Sequence, residues 1–325
     1  MGDEVRLGFI GCGGNASGHM RQVKQDPTAR IVAVCDVAEE AAQRAAAEHG
    51  AQAFTHHKAM LDACKLDAVY ISIPVFAHGE PELDVLDAGL PFFVEKPVAI
   101  SLAIAHRVAA RIRKSKSLTC VGYQLRYSQS ARCTKAFLAG KTIGMAVGRY
   151  LCGTGRGTGW LRQFAQSGGQ IVEQATHTLD MMRYLCGEIV EVYSAQANRT
   201  LKDIDCYDHG ATVLKFASGA VGCLTTCWAL DNSVWDANIV DIFFDRYRLT
   251  WNYQAPSIQP ANEAFKLDDA PMKTIDQVFL EAVRTGDRSA ILTPYEDAVK
   301  SLAVSLAAND SARDGSPKRV GGREL

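Results

Sequence analysis

Glu173, His177, Asp180 and Tyr184 recur at helical spacing in the stretch from Gly168 to Gly187. At about 100° per residue they fall within about 60° of one another, while Ile171, Ala175, Leu179, Met182 and Leu185 gather on the opposite side. The stretch therefore predicts one amphipathic helix, with one face to pack and one face carrying acid and base. A carboxylate one turn ahead of a histidine can fix the ring's tautomer and tune its pKa, as a general base working near neutral pH requires. A solvated helix with an incidental acid and histidine has the same spacing. The elements around the stretch must decide.

Val5–Ile10 reads as a buried strand that runs into Gly11-Cys12-Gly13-Gly14-Asn15-Ala16, after which His19–Val23 continues as a helix. That is the setting of a dinucleotide fingerprint: Gly11 for the tight turn, Gly13 for close approach of a pyrophosphate, and Ala16 for helix–strand packing. A second strand, Arg30–Cys35, ends in Asp36. An acid there accepts hydrogen bonds from a ribose 2′-OH and repels a 2′-phosphate, so the expected cofactor is NAD rather than NADP. Strands and helices alternate up to Val121, through Ala68–Ile73, Pro74, His78, Phe92–Val94 and Glu95-Lys96-Pro97, which predicts a parallel α/β sheet with ligands at the carboxyl ends of its strands.

The glycine turn, the segment from Ile71 to His78, Glu95-Lys96-Pro97, Gly122-Tyr123-Gln124-Leu125-Arg126-Tyr127 and the 168–187 stretch occur in the order seen in the Gfo/Idh/MocA oxidoreductases, which the chain resembles along nearly its whole length. The resemblance implies a Rossmann domain (1–121, NAD-binding) followed by an α+β domain (122–325) with an open, mostly antiparallel sheet for substrate binding and oligomerisation, its final helix packing back on the first domain. It makes Lys96 the catalytic lysine, His177 the base that removes a hydroxyl proton and Glu173 its companion carboxylate. Cofactor contacts are expected at Gly11, Gly13, Gly14, Asn15, Asp36, Ile73, Pro74, His78, Glu95, Lys96 and Gln124. Substrate contacts are expected at Lys96, Arg126, Arg156, Trp160, Asp180 and His177. Two departures stand out: position 173 carries Glu where Asp is common, and Val75 stands where Asn often follows the proline.

Past Gly122 a helix is expected near Ser130–Leu138, a strand near Met145–Cys152, and then a glycine-rich loop, 153–159, that lacks the surroundings of a phosphate loop. Trp160 suits a ring face; Arg156 and Arg162 suit hydroxyls or a carboxylate. From Val190 to Trp251 five strands are expected, with turns at Ser218-Gly219 and Asp245-Arg246. Their apolar faces exceed one core, so a homo-oligomer joined through this sheet is expected. Two amphipathic helices, 276–284 and 294–309, close the chain before a polar tail expected to fray.

Composition narrows the partners. Lys and Arg (35) balance Asp and Glu (36) to a formal net charge of −1, which gives no footprint for nucleic acid or an anionic membrane. No apolar run reaches the roughly 18 residues of a membrane span. The start of the chain resembles no targeting peptide, and ten scattered cysteines fit small buried hydrophobes in a reducing cytoplasm, with no metal site. The sequence thus predicts an NAD-dependent dehydrogenase acting on a secondary ring hydroxyl of a sugar, sugar derivative or inositol. A redox-neutral enzyme that retains NAD and works through a transient keto-sugar, and a non-catalytic NAD or sugar sensor, are the alternatives.

Overall fold

The computed structural model describes residues 4–154, 159–268 and 270–321. The chain divides into two units, residues 1–122 with 273–298 and residues 123–272 with 299–325.

The first unit alternates β1 (Val5–Ile10), α1 (Gly14–Val23), β2 (Ala29–Cys35), α2 (Glu39–His49), β3 (Gln52–Phe54), α3 (His57–Ala63), β4 (Ala68–Ile71), α4 (Glu80–Asp87), β5 (Phe92–Val94), α5 (Leu102–Ser115) and β6 (Thr119–Val121). Its sheet runs β3-β2-β1-β4-β5-β6 with every pair parallel. Parallel strands covered on both faces must be apolar throughout. Val69, Tyr70, Ile71, Phe92, Phe93 and Val94 are accordingly buried without alternation. Strand order reverses beside β1, so the carboxyl ends of β1 and β4 flank the crevice in which such sheets bind ligands.

The second unit begins with a 3-10 turn, Gln124–Tyr127, then α6 (Gln129–Leu138), β7 (Ile143–Cys152), α7 (Phe164–Ser167), α8 (Gln170–Glu173) and α9 (Thr176–Cys186). It continues through β8 (Ile189–Ala197), β9 (His209–Phe216), β10 (Val221–Cys227), β11 (Trp235–Phe244), β12 (Tyr247–Trp251) and β13 (Ser257–Gln259). The chain closes with α10 (Ile275–Thr285), α11 (Tyr295–Asp314) and β14 (Lys318–Arg319). The second sheet runs β13-β12-β11-β7-β10-β9-β8-β14. Only β7 and β10 pair in parallel. Both expected turns are present: Gly219 has φ +91°, and Asp245 and Arg246 have φ +45° and +68°. α9 lies against β7 and β11 because Gly148 lets it approach; a Cβ there would meet the Met182 sulfur at 2.7 Å.

Three expectations change. The segment 273–298, placed by sequence in the second domain, packs with the first unit: Phe279 of α10 sets its ring edge-on to Tyr70 and Phe93, with centroids 5.3 and 5.9 Å away. The boundary inside the last helix falls between Ala298 and Val299. The polar tail is not frayed over residues 318–319, which form β14 on the edge of β8 with Lys318 opposite Val192 and Arg319 opposite Glu191. An open sheet edge offers unpaired backbone groups, and even a polar strand can satisfy them. Finally, the 168–187 stretch is not one helix. Ala175 donates its N–H to the Gln170 carbonyl, five residues back, and the regular ladder restarts in α9. Tertiary contacts hold the first piece: Gln170 Nε2 donates to the Cys227 carbonyl (2.8 Å), and Gln174 Oε1 accepts from the Trp228 indole (2.7 Å).

Candidate functional site

The glycine turn follows the carboxyl end of β1. Gly11 has φ +96°, and a Cβ on it would lie 2.0 Å from the Ser72 carbonyl oxygen, so only glycine fits. Gly13, Gly14 and Asn15 are exposed, and a Cβ at either glycine would meet nothing within 4 Å. Gly13 caps the ten-residue α1 without a side-chain acceptor, leaving the positive end of the helix open to an anion. Asp36 ends β2 with its carboxylate accepting from the Cys12 (2.8 Å) and Ala38 (2.9 Å) backbone N–H groups. The carboxylate is thus fixed beside the turn. These residues fit a dinucleotide: an open helix N-terminus for the pyrophosphate and an oriented acceptor for a ribose.

Ile73 and Pro74 follow β4, half-buried, at the same edge of the sheet. His78 is 5% exposed; its Nδ1 is paired with Glu82, whose other oxygen accepts from the Gly79 N–H at 2.6 Å. That dyad supports the start of α4.

Lys96 follows β5 and is half-buried, its backbone N–H 3.2 Å from Glu95 Oε2. Glu95 is 8% exposed and faces His19 of α1, whose Nε2 is 2.9 Å from Glu95 Oε1 and whose Nδ1 is 2.7 Å from Asp276 Oδ1 of α10. Burial alone would lower the His19 pKa, but a carboxylate on each ring nitrogen raises it to about 10. Burial alone would raise the Glu95 pKa; the His19 hydrogen bond, with the His19 and Lys96 charges, brings it below the ordinary value. Gly122 makes room for this group, since a Cβ there would sit 2.7 Å from Glu95 Oε2. Sequence reasoning missed His19 and Asp276. The one available signal was a histidine on the first turn and a half of a helix opening on a glycine fingerprint; nothing local marked Asp276.

In the second unit Glu173 ends α8 and His177 stands in the first turn of α9, both half-buried. The Tyr123 ring stands edge-on to the His177 ring at 5.9 Å, and the Tyr123 hydroxyl is 2.8 Å from that of Thr176. Asp180, expected on a ligand-facing side, is 1% exposed. Its oxygens accept from Arg126 Nε (2.7 Å) and Nη2 (2.6 Å), and Oδ1 also accepts from the Ser301 hydroxyl (2.7 Å). Arg183 donates to Ser301 at 2.6 Å and grips Glu188 through two further bonds. The joint at Gln174 separates only Glu173 from the predicted acid and base face; Asp180 shares the unbroken α9 with His177, and its pairing with Arg126 and Ser301 is what accounts for its burial. Arg126 and Asp180 pair with each other and tie the turn after Tyr123 to α9. Tyr184 lies under the Arg126 guanidinium, 5.1 Å from ring centre to carbon.

Trp160 is half-buried in a 3-10 turn, Gly159–Arg162. Arg162 is paired with Asp203 rather than left for a ligand. Arg156 lies outside the described residues. Gln124 is exposed and lines a cavity of the second unit. Among the described residues no group of three or more His, Cys, Asp or Glu is arranged to hold a metal ion.

A family model described as an oxidoreductase family with an NAD-binding Rossmann fold, GFO_IDH_MocA, matches residues 5–123. The GFO/IDH/MocA C-terminal domain matches residues 142–246, so the two span more than half of the chain. The NAD+-dependent scyllo-inositol 2-dehydrogenase of Bacillus subtilis is 26% identical, the alignment covering 98% of this chain and 97% of that protein. The myo-inositol 2-dehydrogenase of Thermotoga maritima is also 26% identical, over 70% of this chain and 68% of its own. Among solved structures, the WlbA dehydrogenase of Bordetella pertussis, in complex with NADH and UDP-GlcNAcA, superposes with a TM-score of 0.87 at 23% identity, covering 98% of this chain and 99% of that one. A levoglucosan dehydrogenase in complex with NADH gives 0.82 at 20% identity, covering 98% and 99%. The parallel sheet and the mostly antiparallel sheet are the fold these structures share.

Proposed function

The chain belongs to the GFO/IDH/MocA oxidoreductase family, and on that footing we propose that it oxidises a secondary ring hydroxyl of a sugar, sugar derivative or inositol with NAD as hydride acceptor. The observation that carries this reading is the likeness, along 98% of the chain, to an NAD+-dependent inositol dehydrogenase. The geometry that supports it is the glycine turn, with Gly13 and Gly14 open at the N-terminus of α1 and Asp36 held beside them. NAD, when bound there, supplies the acceptor for the hydride leaving the ring carbon.

The residues of the chain handle the proton and the charge. Oxidising an alcohol leaves negative charge on its oxygen, and the Lys96 ammonium stabilises it. His177 takes the hydroxyl proton, with Glu173 as its companion carboxylate. Glu95 and His19 hold the backbone at Lys96, and the Arg126–Asp180 pair holds α9. Gly11, Gly13, Gly14, Asn15, Ile73 and Pro74 are the cofactor contacts in this scheme, and Trp160 a ring contact. The test is net NADH formation from NAD and a panel of inositols and sugars at alkaline pH. Accumulation supports the dehydrogenase; turnover of a sugar without NADH replaces it with the redox-neutral route.

We further propose that a second copy docks on the open face of the second sheet. Tyr193, Val213 and Val221 are 44%, 52% and 48% exposed, and Met145 38%. The register places Tyr193 opposite Val213 and Met145 opposite Val221, two apolar pairs in neighbouring rows, with Lys215 and its ion-pair partner Glu191 continuing the row of Val221. Sedimentation at micromolar concentration should give a species larger than the 35.2 kDa monomer, and Val213→Glu should dissociate it; a monomer alone would refute this. Among the described residues no helix is long and apolar enough to cross a membrane. The ten cysteines are free thiols, which fits a reducing cytoplasm.

A further inference from the structure

The second unit holds an open cavity of about 670 Å³, between the 3-10 turn after Tyr123, the start of β11 and the turn following β12. Its lining includes Trp235, 66% exposed, and Tyr253, 53% exposed, with the amides of Gln124, Asn238 and Gln254. No charged side chain lines it. Two aromatic side chains with amide donors and acceptors suit a hydroxylated ring: aromatic surface covers its C–H side, and the amides meet its hydroxyls. Phosphate, nucleotide or carboxylate would enter without a counter-charge.

Asn238 ties the cavity to α9, at the residue after His177. It is the extra residue of a bulge in β11, where pairing with β7 slips between Ala237 and Ile239, and its φ of +59° is left-handed. Bulges of this kind re-aim a side chain. The Asn238 Oδ1 accepts from the hydroxyl of Thr178, the neighbour of His177, at 3.3 Å. On the opposite side the Trp235 ring stands edge-on to Tyr150 at 5.8 Å, and Tyr150 lies within reach of the Glu173 charge, which, after burial and Cys152, raises its hydroxyl pKa. Gln124 follows Tyr123, whose ring touches His177. The cavity is thus linked to His177 and Glu173 through the intervening side chains of Thr178, Tyr123 and Tyr150 and is lined by neither.

We infer that this cavity binds a neutral, hydroxylated second ring attached to the ring that is oxidised, so that a neutral glycoside rather than a free monocycle is the preferred substrate. The volume agrees, since it falls in the range of sites that enclose ligands larger than one small ring. The inference rests on the dehydrogenase reading above.

The test uses the full-length protein with NAD. Calorimetry measures binding of cellobiose against D-glucose and of galactinol against myo-inositol, with UDP-glucose and glucose 6-phosphate as anionic controls; absorbance measures NADH. At least one neutral glycoside should bind about tenfold or more tightly than its parent monocycle. Trp235→Ala and Gln254→Ala, both at exposed positions, should each erode that advantage, the first completely. The inference is overturned if glycoside and parent bind alike, if none of the probes binds, if an anionic probe binds best, or if Trp235→Ala keeps the advantage. Trp235-dependent binding of a glycoside with no NADH from any probe would instead sink the dehydrogenase reading and leave the cavity's ligand standing.

Discussion

Lys96 and His177 each stand beside a buried ionic group, and the two groups are built on different chemistry. Beside Lys96, one imidazole bridges two acids, Glu95 and Asp276, joining α1, the end of β5 and α10. One turn beyond His177, one acid, Asp180, receives Arg126 and Ser301, and Arg183 closes the ring through Ser301. The first group depends on a proton that can leave. The second depends on guanidinium ions that stay charged at any pH the protein survives. The same task, holding the stretch around a proposed catalytic side chain still, is therefore pH-sensitive in the first unit and pH-insensitive in the second.

Four experiments probe that contrast. The largest expected effect is on chemistry: Lys96→Ala should lower NADH production by about a thousandfold, the scale of losing a preorganised charge, while NAD still binds by fluorescence titration. An unchanged rate would remove Lys96 from the reaction. Next comes Arg126→Ala, which leaves Asp180 buried without its partner and should cost about 3 kcal/mol or more in chemical denaturation, at pH 7 and pH 10 alike. His19→Gln should cost about 3 kcal/mol at pH 7 by stranding two buried carboxylates. That cost has a pH limit. With the folded pKa raised from 6.5 to about 10, the His19 contribution is full below about 6.5 and fades as pH rises through about 10, so mutant and wild type should converge there. Convergence for Arg126→Ala, or none for His19→Gln, would erase the contrast. The smallest effect is at Asp36. Asp36→Ala should reduce the preference for NAD over NADP by about tenfold, the weight of one charged hydrogen bond, as read from kcat/KM with each cofactor.

The two regions also differ in how far the sequence disclosed them. The glycine turn, Asp36 and Lys96 were legible because each sits at the end of a strand, where local order fixes position. The strands of the second sheet were legible from alternation and turn residues, with Asp245 and Arg246 taking the left-handed conformations their turn needs. The 168–187 stretch misled because helical periodicity describes an uninterrupted ladder, whereas Gln170 and Gln174 bond to Cys227 and Trp228, more than fifty residues away. Asp180 then passed for a ligand-facing acid although Arg126 had claimed it. His19 and Asp276 were missed for a related reason: they are 257 residues apart, and nothing near Asp276 marks the return of α10 to the first unit.

Hydride transfer from a ring carbon is the central claim, and an isotope reads it directly. The protein is incubated with NAD and a sugar or inositol deuterated at its secondary carbinol carbons, and the nicotinamide product is analysed by mass spectrometry. One deuterium per NADH formed is the predicted result. Turnover of the labelled ring with unlabelled NADH, or with no NADH and loss of deuterium to water, would contradict it.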